Sequence, residues 1–530
     1  MSGLIALVGF LGFAARRLLT YLHLFQQEEY DGRRFLAWLV RSGAWDRRLS
    51  LALIAIGVAQ LLLRGRLAVA WPFAVLTAVA CLGIAALERD PRKTAKKRLA
   101  MTARATRIYV IALALSAAVG LAAALSSPLV LVWVLAVQFV PVLLAGANLL
   151  LAPMEARVQR SYWDEARAVL QRVSPTVIAI TGSYGKTSVK HILGHVLETA
   201  GPTLITPGSV NTAMGIARVI RERLGAHHRY FVVEMGAYGI GSIRRLCALT
   251  PPRLGIITAI GKAHYERYKS LDAVARAKFE LGEAVRNSRG RLIVASDVLE
   301  FAWPRQFVEA HRESVVSVGD DAAADLRITA LRQEPDGIVA ELLWLGGHYE
   351  LRAPLFGLHQ GRNIALAFAA ACTLGLAPED VIASLRSTPQ IAHRLEVKRQ
   401  GDGAIVIDDA YNSNPVGFAS ALGLLDALRR PGGRLILVTP GMAELGSEHQ
   451  AEHARIGRLA AAHVDVLVAV APRRVAPLTA AFQAAAPERE VVSCVGFAEA
   501  QAWLDRNLAA HDVVLIENDL PDLLEQSLRL

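Results

Sequence analysis

Hydrophobic and polar positions divide the chain into two unlike parts. Up to about residue 151 long apolar runs alternate with short basic stretches, and beyond Pro175 brief Val/Ile-rich runs alternate with longer segments of helical period. Residues 49–63 and 67–87 are apolar runs parted only by Arg64-Gly65-Arg66, and residues 109–125 and 129–151 form a second pair joined by Ser126-Ser127-Pro128. A membrane-crossing helix needs about 20 apolar residues, or about 17 at the lower limit, so both pairs read as helical hairpins. Residues 3–15 are a shorter apolar run that either extends through Arg16-Arg17 by snorkelling or lies in an interface. No small-residue cleavage site follows it, so it reads as retained. Residues 154–174 are polar with a helical pattern and read as a connector that holds the second part near the bilayer. The first part is therefore expected to be a membrane domain of four to five helices over 1–152, followed by a helical connector over 153–174.

From Pro175 onward the alternation predicts an α/β fold with a largely parallel sheet. Val177-Ile178-Ala179-Ile180 reads as a buried strand, and Val189-Lys190-His191-Ile192-Leu193 as the start of a helix. Between them stands Thr181-Gly182-Ser183-Tyr184-Gly185-Lys186-Thr187-Ser188. A strand, a glycine turn and a helix N-terminus make a phosphate cradle, because backbone N–H groups approach the anion and the helix dipole favours negative charge. Lys186 is expected to reach the terminal phosphates of a nucleotide, and the Thr187 hydroxyl to ligate Mg²⁺. Tyr230-Phe231-Val232-Val233-Glu234 is a strand with a carboxylate at its carboxyl end, and Leu254-Gly255-Ile256-Ile257-Thr258 is another, followed by Lys262-Ala263-His264. Ligands of open α/β sheets bind outside the carboxyl ends of the strands, so Glu234 and His264 are expected to converge on the same phosphates as metal ligands. Further strands at 434–438, 464–470 and 512–516 predict a Rossmann-like domain over 401–530, after an ATP-binding domain over 175–400.

Charge sharpens the division. Residues 1–160 carry 19 Lys+Arg against 7 Asp+Glu, and the remainder 39 against 40, so the net +11 belongs to the first part. Basic loops at 16–48 and 88–107 stay on the cytoplasmic side, which places everything after residue 151 in the cytoplasm, where ATP is available. That orientation corresponds to a multi-pass membrane protein with its second part on the cytoplasmic side. No tract interleaves basic and aromatic residues as a nucleic-acid groove does, which excludes nucleic acid as a partner. Cys81, Cys247, Cys372 and Cys494 are far apart and form neither a disulfide framework nor a zinc site.

The glycine turn, with two residues between its glycines and a threonine before the first, resembles the nucleotide loop of the Mur ligases, ATP-dependent peptide-bond-forming enzymes of cell-wall synthesis. Thr206-Pro207-Gly208-Ser209-Val210-Asn211, Val233-Glu234-Met235-Gly236-Ala237, Ala263-His264 and Ala277-Lys278-Phe279-Glu280 are similar, in order and spacing, to the branch that adds D-alanyl-D-alanine. The resemblance implies a P-loop central domain in which Thr187 and Glu234 hold one Mg²⁺, and His264 with a carbamylated Lys278 serves a second. Gly357-Leu358-His359-Gln360-Gly361-Arg362-Asn363 resembles a stretch that approaches the nucleotide, with Gln360 in place of the family's asparagine. His393-Arg394 resembles the arginine that reaches the terminal phosphate. Ile407-Asp408-Asp409-Ala410-Tyr411-Asn412-Ser413-Asn414-Pro415 and Gly441-Met442-Ala443-Glu444-Leu445-Gly446 again look like this branch. ATP is thus implied to contact Gly182, Ser183, Gly185, Lys186, Thr187, Ser188, Asn363, Arg394, Asp409 and Asn412. The catalytic set implied is Lys186, His264, Lys278 and Arg394.

Three departures accompany the resemblance. Apolar helices stand where the family has a domain for a UDP-sugar. Gly441 replaces an aspartate, and Glu517-Asn518-Asp519 replaces a Lys-Gly-Ser stretch on the expected acceptor side. The resemblance implies a ligase that phosphorylates a carboxylate and joins it to an amino acid or dipeptide. The carboxylate is small or, given the apolar helices, lipid-linked, and other cell-wall enzymes are candidate partners. A poly-γ-glutamate-type capsule ligase, a membrane scaffold with an inactive ligase fold and a P-loop-driven transporter are the alternatives.

Overall fold

The structure, a computed structural model, describes residues 2–518 except 29, 64–70, 94–97, 128, 262–267, 269, 402, 412 and 444. The described residues form two compact units, divided between Gln159 and Arg160 inside the 43-residue helix Leu131–Val173.

The first unit is helical. Among its described residues three helices are long and apolar enough to cross a membrane: Ser2–Gln27, Ala103–Ser126 and Leu131–Val173. Large apolar side chains such as Leu51, Val58, Val79, Val110, Leu135 and Phe139 are exposed on its helices, while Phe10, Phe13, Leu18, Tyr21, Phe25 and Phe35 fill its interior. The 3–15 run continues through Arg16-Arg17 in an unbroken 26-residue helix, one of its two expected outcomes. The 49–63 and 67–87 runs hold the apolar helices Arg48–Leu62 and Trp71–Leu87, and residues 64–70 between them lie outside the described residues. Arg17 does not snorkel. Its buried guanidinium pairs with Asp46 at 2.7 Å and Glu88 at 3.1 Å, because a charge removed from water needs compensating partners. The Asp46 carboxylate also accepts from the Leu49 and Ser50 N–H groups, at the start of helix Arg48–Leu62.

The second unit holds two sheets. The first, in the order β2-β3-β1-β4-β5-β6-β7-β8-β9, comprises β1 (Thr176–Thr181), β2 (Thr203–Ile205), β3 (Tyr230–Glu234), β4 (Leu254–Ile257), β5 (Arg291–Ala295), β6 (Val315–Gly319), β7 (Leu326–Glu334), β8 (Gly337–Trp344) and β9 (Gly347–Ala353). Strands β1 to β7 pair in parallel, and β7, β8 and β9 form an antiparallel meander. Strands β1 and β3 are covered on both faces and are therefore continuously apolar rather than alternating. The last turns of Leu131–Val173 dock on this sheet, with Ala166 and Leu170 in its core beside Phe231 and Ile220. The supposed connector is thus a packed element, fixed also by the Glu165–Arg221 ion pair at 2.6 Å.

The second sheet has the order β10-β11-β15-β12-β13-β14: β10 (Glu396–Arg399), β11 (Ile405–Asp409), β12 (Leu435–Thr439), β13 (Val466–Val470), β14 (Glu490–Cys494) and β15 (Val513–Glu517). All pairings are parallel except the edge strand β10 on β11. Asp409 and Glu517 end β11 and β15 and stand directly opposite each other in the register.

Candidate active site

Strand β1 delivers the chain into the glycine turn, and helix Lys186–Glu198 leaves it. Gly185 adopts φ +79°, and a Cβ there would stand 2.6 Å from Asn363 Oδ1. A Cβ on Gly182 would collide with the Thr258 hydroxyl, so both glycines serve close approach. The turn is tied to the neighbouring strand ends. Thr181 Oγ1 donates to the Met235 carbonyl at 3.0 Å, and Ser183 N–H donates to the Ala259 carbonyl at 2.8 Å. Lys186 curls back, its Nζ donating to the Gly182 carbonyl at 2.7 Å.

Glu234 ends β3, beside β1, and is 1% exposed. Thr187 Oγ1 donates to its Oε2 at 2.9 Å, Lys190 Nζ pairs with the same oxygen at 3.1 Å, and Asn211 Nδ2 donates to Oε1 at 3.3 Å. Burial alone would raise this carboxyl, but the Lys190 and Lys186 ammoniums and the hydrogen bonds from Lys190 and Thr187 outweigh it and hold Glu234 below its ordinary value. The same burial lowers Lys186 and Lys190 despite the Glu234 charge, and Arg394 lowers them further. Lys278, buried in helix Leu271–Asn287, is driven well below the ordinary lysine value by desolvation and by the Lys186 charge.

A cavity of about 430 Å³ opens over these strand ends, lined among others by Lys186, Thr187, Glu234, Asn363, Arg394 and Asp409. Helix Leu358–Thr373 supplies His359 and Asn363. His359 hydrogen-bonds Ser420 Oγ at 3.0 Å, and burial followed by the Arg394 charge takes its imidazole down to about 4. Arg394 sits between His393 and Leu395, both at positive φ (+58° and +49°). That turn is held by Asp408, which accepts from His393 Nδ1 at 2.9 Å, and by Asp409 Oδ1, which accepts from the Leu395 N–H at 3.2 Å. The Arg394 guanidinium lies 4.3 Å from the Tyr411 ring centre, and the Tyr411 hydroxyl meets Ser209.

Of the residues expected from the sequence, Ser183, Gly185, Lys186, Thr187, Ser188, Glu234, Asn363, Arg394 and Asp409 line this one cavity. Gly182 and Lys278 lie outside the lining, Gly182 in the turn itself and Lys278 buried near Lys186. His264 and Asn412 fall outside the described residues. Glu517 and Asn518 are buried rather than presented to an acceptor: Ser413 Oγ donates to Glu517, and Asn518 Nδ2 donates to the Gly441 carbonyl at 2.6 Å. Sequence reasoning missed Lys190 and Tyr411. The signal for Lys190 was available, since it follows Thr187 by three positions on one helix and so shares its face.

Hard oxygen donors suit Mg²⁺, and the Thr187 hydroxyl and Glu234 carboxylate, 2.9 Å apart, form such a pair. Lys278 as an ammonium has no lone pair and as an amine offers only nitrogen, so a carbamate would be the form that gives a second Mg²⁺ the oxygen donor it prefers.

Comparison with known proteins covers the same region. The Mur ligase middle domain family matches residues 180–371, and the family described as Mur ligase, glutamate ligase domain matches residues 393–517. The UDP-N-acetylmuramoyl-tripeptide–D-alanyl-D-alanine ligase of Mycobacterium tuberculosis (strain ATCC 25618 / H37Rv) is 36% identical over 296 residues, 54% of this chain and 56% of that protein. The chain therefore spans only about half the length of such mycobacterial relatives. The Escherichia coli (strain K12) protein of the same name is 30% identical over 335 residues, 62% of this chain and 73% of the relative. A crystal structure of MurF from Acinetobacter baumannii superposes with a TM-score of 0.60 at 27% identity, covering 68% of this chain and 77% of that one. Sequence and fold agree over both sheets, and on that agreement the chain belongs to the Mur ligase family.

Proposed function

We propose that this chain is an ATP-dependent ligase of MurF type, which joins an amino acid or dipeptide to a cell-wall-related carboxylate and forms ADP. The observation that carries the reading is the Thr187–Glu234 oxygen pair at 2.9 Å beside Lys186, with Arg394 lining the same cavity. In this reading the loop Gly182–Ser188 cradles the phosphates of ATP, and Asn363, Asp409 and Asn412 contact the rest of the nucleotide. Thr187 and Glu234 hold one Mg²⁺, and His264 with a carbamylated Lys278 holds a second. Bound Mg²⁺ supplies charge neutralisation on the phosphates.

The substrate carboxylate attacks the γ-phosphorus and ADP leaves, giving an acyl phosphate. Lys186 and Arg394 neutralise charge on the transferring group, where planar guanidinium hydrogen bonds are strongest. The uncharged amine then attacks the acyl carbon, phosphate departs and the nitrogen loses a proton, leaving an amide. Closure of the C-terminal domain over the bound substrates would exclude water, which otherwise hydrolyses the acyl phosphate.

Exposed apolar side chains on the helices of the first unit favour a second element of this reading: residues 1–152 form a domain anchored in the bacterial inner membrane and the ligase unit works in the cytoplasm. The carboxylate is then lipid-linked rather than UDP-linked. The experiment is phosphate release from ATP by detergent-purified protein, with muramyl-peptide carboxylates, UDP- or lipid-linked, combined with D-alanyl-D-alanine or single amino acids, and Lys186→Ala as blank. Release that needs both a carboxylate and an amine supports the ligase. ATP binding without release under any pair overturns it in favour of an inactive scaffold. Equal turnover of soluble and lipid-linked acids by a chain lacking 1–152 overturns the lipid-linked reading.

A further inference from the structure

The carboxyl ends of β11 and β15 bring two acids together in the wall of the cavity. Asp409 and Glu517 are register partners on adjacent parallel strands, so their side chains emerge on the same face about one strand spacing apart, ~4.8 Å. Asp409 is 8% exposed and lines the cavity, whereas Glu517 is fully buried behind it. One Glu517 oxygen accepts from Ser413 Oγ, and the other, Oε2, is buried with no N–H or O–H donor directed at it. The register sets the two carboxyl groups side by side, with Glu517 Oε2 buried and without a donor. Two carboxylates so placed repel and cannot hydrogen-bond, because both only accept, whereas a proton on one of them lets it donate to the other.

We infer that Glu517 is held as a neutral carboxylic acid that donates its proton to Asp409, and that it thereby positions the Asp409 carboxylate toward the nucleotide. The inference rests on the reading of Asp409 as a nucleotide contact. The surroundings decide which acid keeps the proton. Asp409 also accepts from the Leu395 N–H and faces the Arg394 guanidinium, both of which favour its charged form. Against Glu517 stand Ser413, which donates, Asp409, whose charge opposes ionisation, and Arg394, which is the weakest influence of these. Asp408, the other acid at this strand end, is taken up by His393 and Lys398. Desolvation and the Asp409 charge accordingly push Glu517 well above the usual carboxylate range, while burial, opposed by Arg394, leaves Asp409 at about 6. At neutral pH the pair carries one negative charge, on the member that faces the cavity.

Glu517 is a positioning residue, and two variants separate that role from packing. Glu517→Gln keeps the shape and an N–H donor; Glu517→Leu keeps approximate volume and removes the donor. In the full-length wild type at pH 7.5, infrared spectroscopy shows a protonated-carboxyl C=O stretch that both variants lose. Binding of ATP with Mg²⁺, titrated by calorimetry from pH 5 to 8.5, weakens on the acid side near pH 6 in wild type and in Glu517→Gln. In Glu517→Leu that midpoint moves up by about one unit, the size of one lost charge-assisted hydrogen bond, so binding at a fixed pH of 6 falls about fivefold. Absence of the infrared band in wild type overturns the inference. So does a band that disappears in Glu517→Leu with no change in the acid midpoint. Failure of ATP to bind the wild type at all, with the band present, instead refutes the nucleotide reading of Asp409 and takes the positioning role with it, leaving only the acid pair.

Discussion

Lys190→Met tests whether Glu234 is kept ionised by the protein before any metal arrives. Lys190 is fully buried, and its ammonium touches two groups, Glu234 Oε2 at 3.1 Å and the Gly208 carbonyl. Methionine preserves the stem and its packing, so the loss is confined to the charge and its hydrogen bonds. Removing one partner of a buried ion pair destabilises by about 3–5 kcal/mol, since the other charge stays desolvated. Lys186, Thr187 and Asn211 still face Glu234, which argues for the lower end, about 3 kcal/mol. For a unit of this size that is on the order of 4 °C in melting temperature.

The pH dependence supplies the sign. Glu234 is held below its ordinary value in the folded chain, so its contribution is fully present above the unfolded carboxylate value and is lost as pH falls through the folded one. In Lys190→Met the folded value rises, and the deficit against wild type is largest at neutral pH and shrinks on acidification. Thermal unfolding of the detergent-solubilised protein at pH 7.5 and pH 5, followed by circular dichroism, measures both points. Glu234→Gln added to Lys190→Met recovers much of the loss, because no buried charge remains to be compensated; the coupling between the sites is about 1–3 kcal/mol. A Lys190→Met protein that melts with wild type at pH 7.5, or whose deficit is the same at both pH values, refutes the reasoning.

Other expectations follow from single positions. Gly185→Ala forces a Cβ into the left-handed region and against Asn363, at about 1–2 kcal/mol for the backbone alone, and should weaken ATP binding about tenfold in calorimetry; unchanged affinity would dismiss the close approach. Lys278, whose charged form burial disfavours, should give a ¹³C carbamate resonance when the protein is exchanged into labelled bicarbonate, and Lys278→Ala should lack it. In the helical unit, Arg17→Met strands Asp46 and Glu88 and should cost about 3–5 kcal/mol, read as a lowered melting temperature in detergent. Arg17→Met with Asp46→Asn and Glu88→Gln should regain most of it.

The sequence was most legible where one local rule fixes the outcome. A strand, a glycine turn and a helix start are contiguous, so the Gly182–Ser188 loop could be placed from residues 177–193 alone, and the carboxyl-end rule for α/β sheets put Glu234 beside it. Lengths of apolar helices were less legible. Residues 3–15 left open whether the run continues through Arg16-Arg17 by snorkelling; it does continue, but Arg17 is carried inside by Asp46 and Glu88, which are 29 and 71 positions away. No local pattern reveals such a partner. The meander β7–β9 did leave a period-two signal in Leu326, Ile328, Ile338, Ala340 and Leu342, but its strands, though the longest of the sheet, lack the strong β-branched runs of the parallel core.

Glu517 shows why chemistry is harder to read than fold. As a residue type it put a carboxylate, in place of a family cation, on the expected acceptor side. Its position in the register turns it inward against Asp409, where the cheaper state is the neutral acid. The cavity then presents Lys186 and Arg394 against the carboxylates of Glu234 and Asp409, with Lys190 buried behind Glu234. Ionising Glu517 would add a third negative charge next to the site of an anionic nucleotide. The proton on Glu517 prevents that, so raising the pH should weaken nucleotide binding in wild type while Glu517→Gln stays flat. An alkaline loss of equal size in both proteins would show that some other group sets that limb.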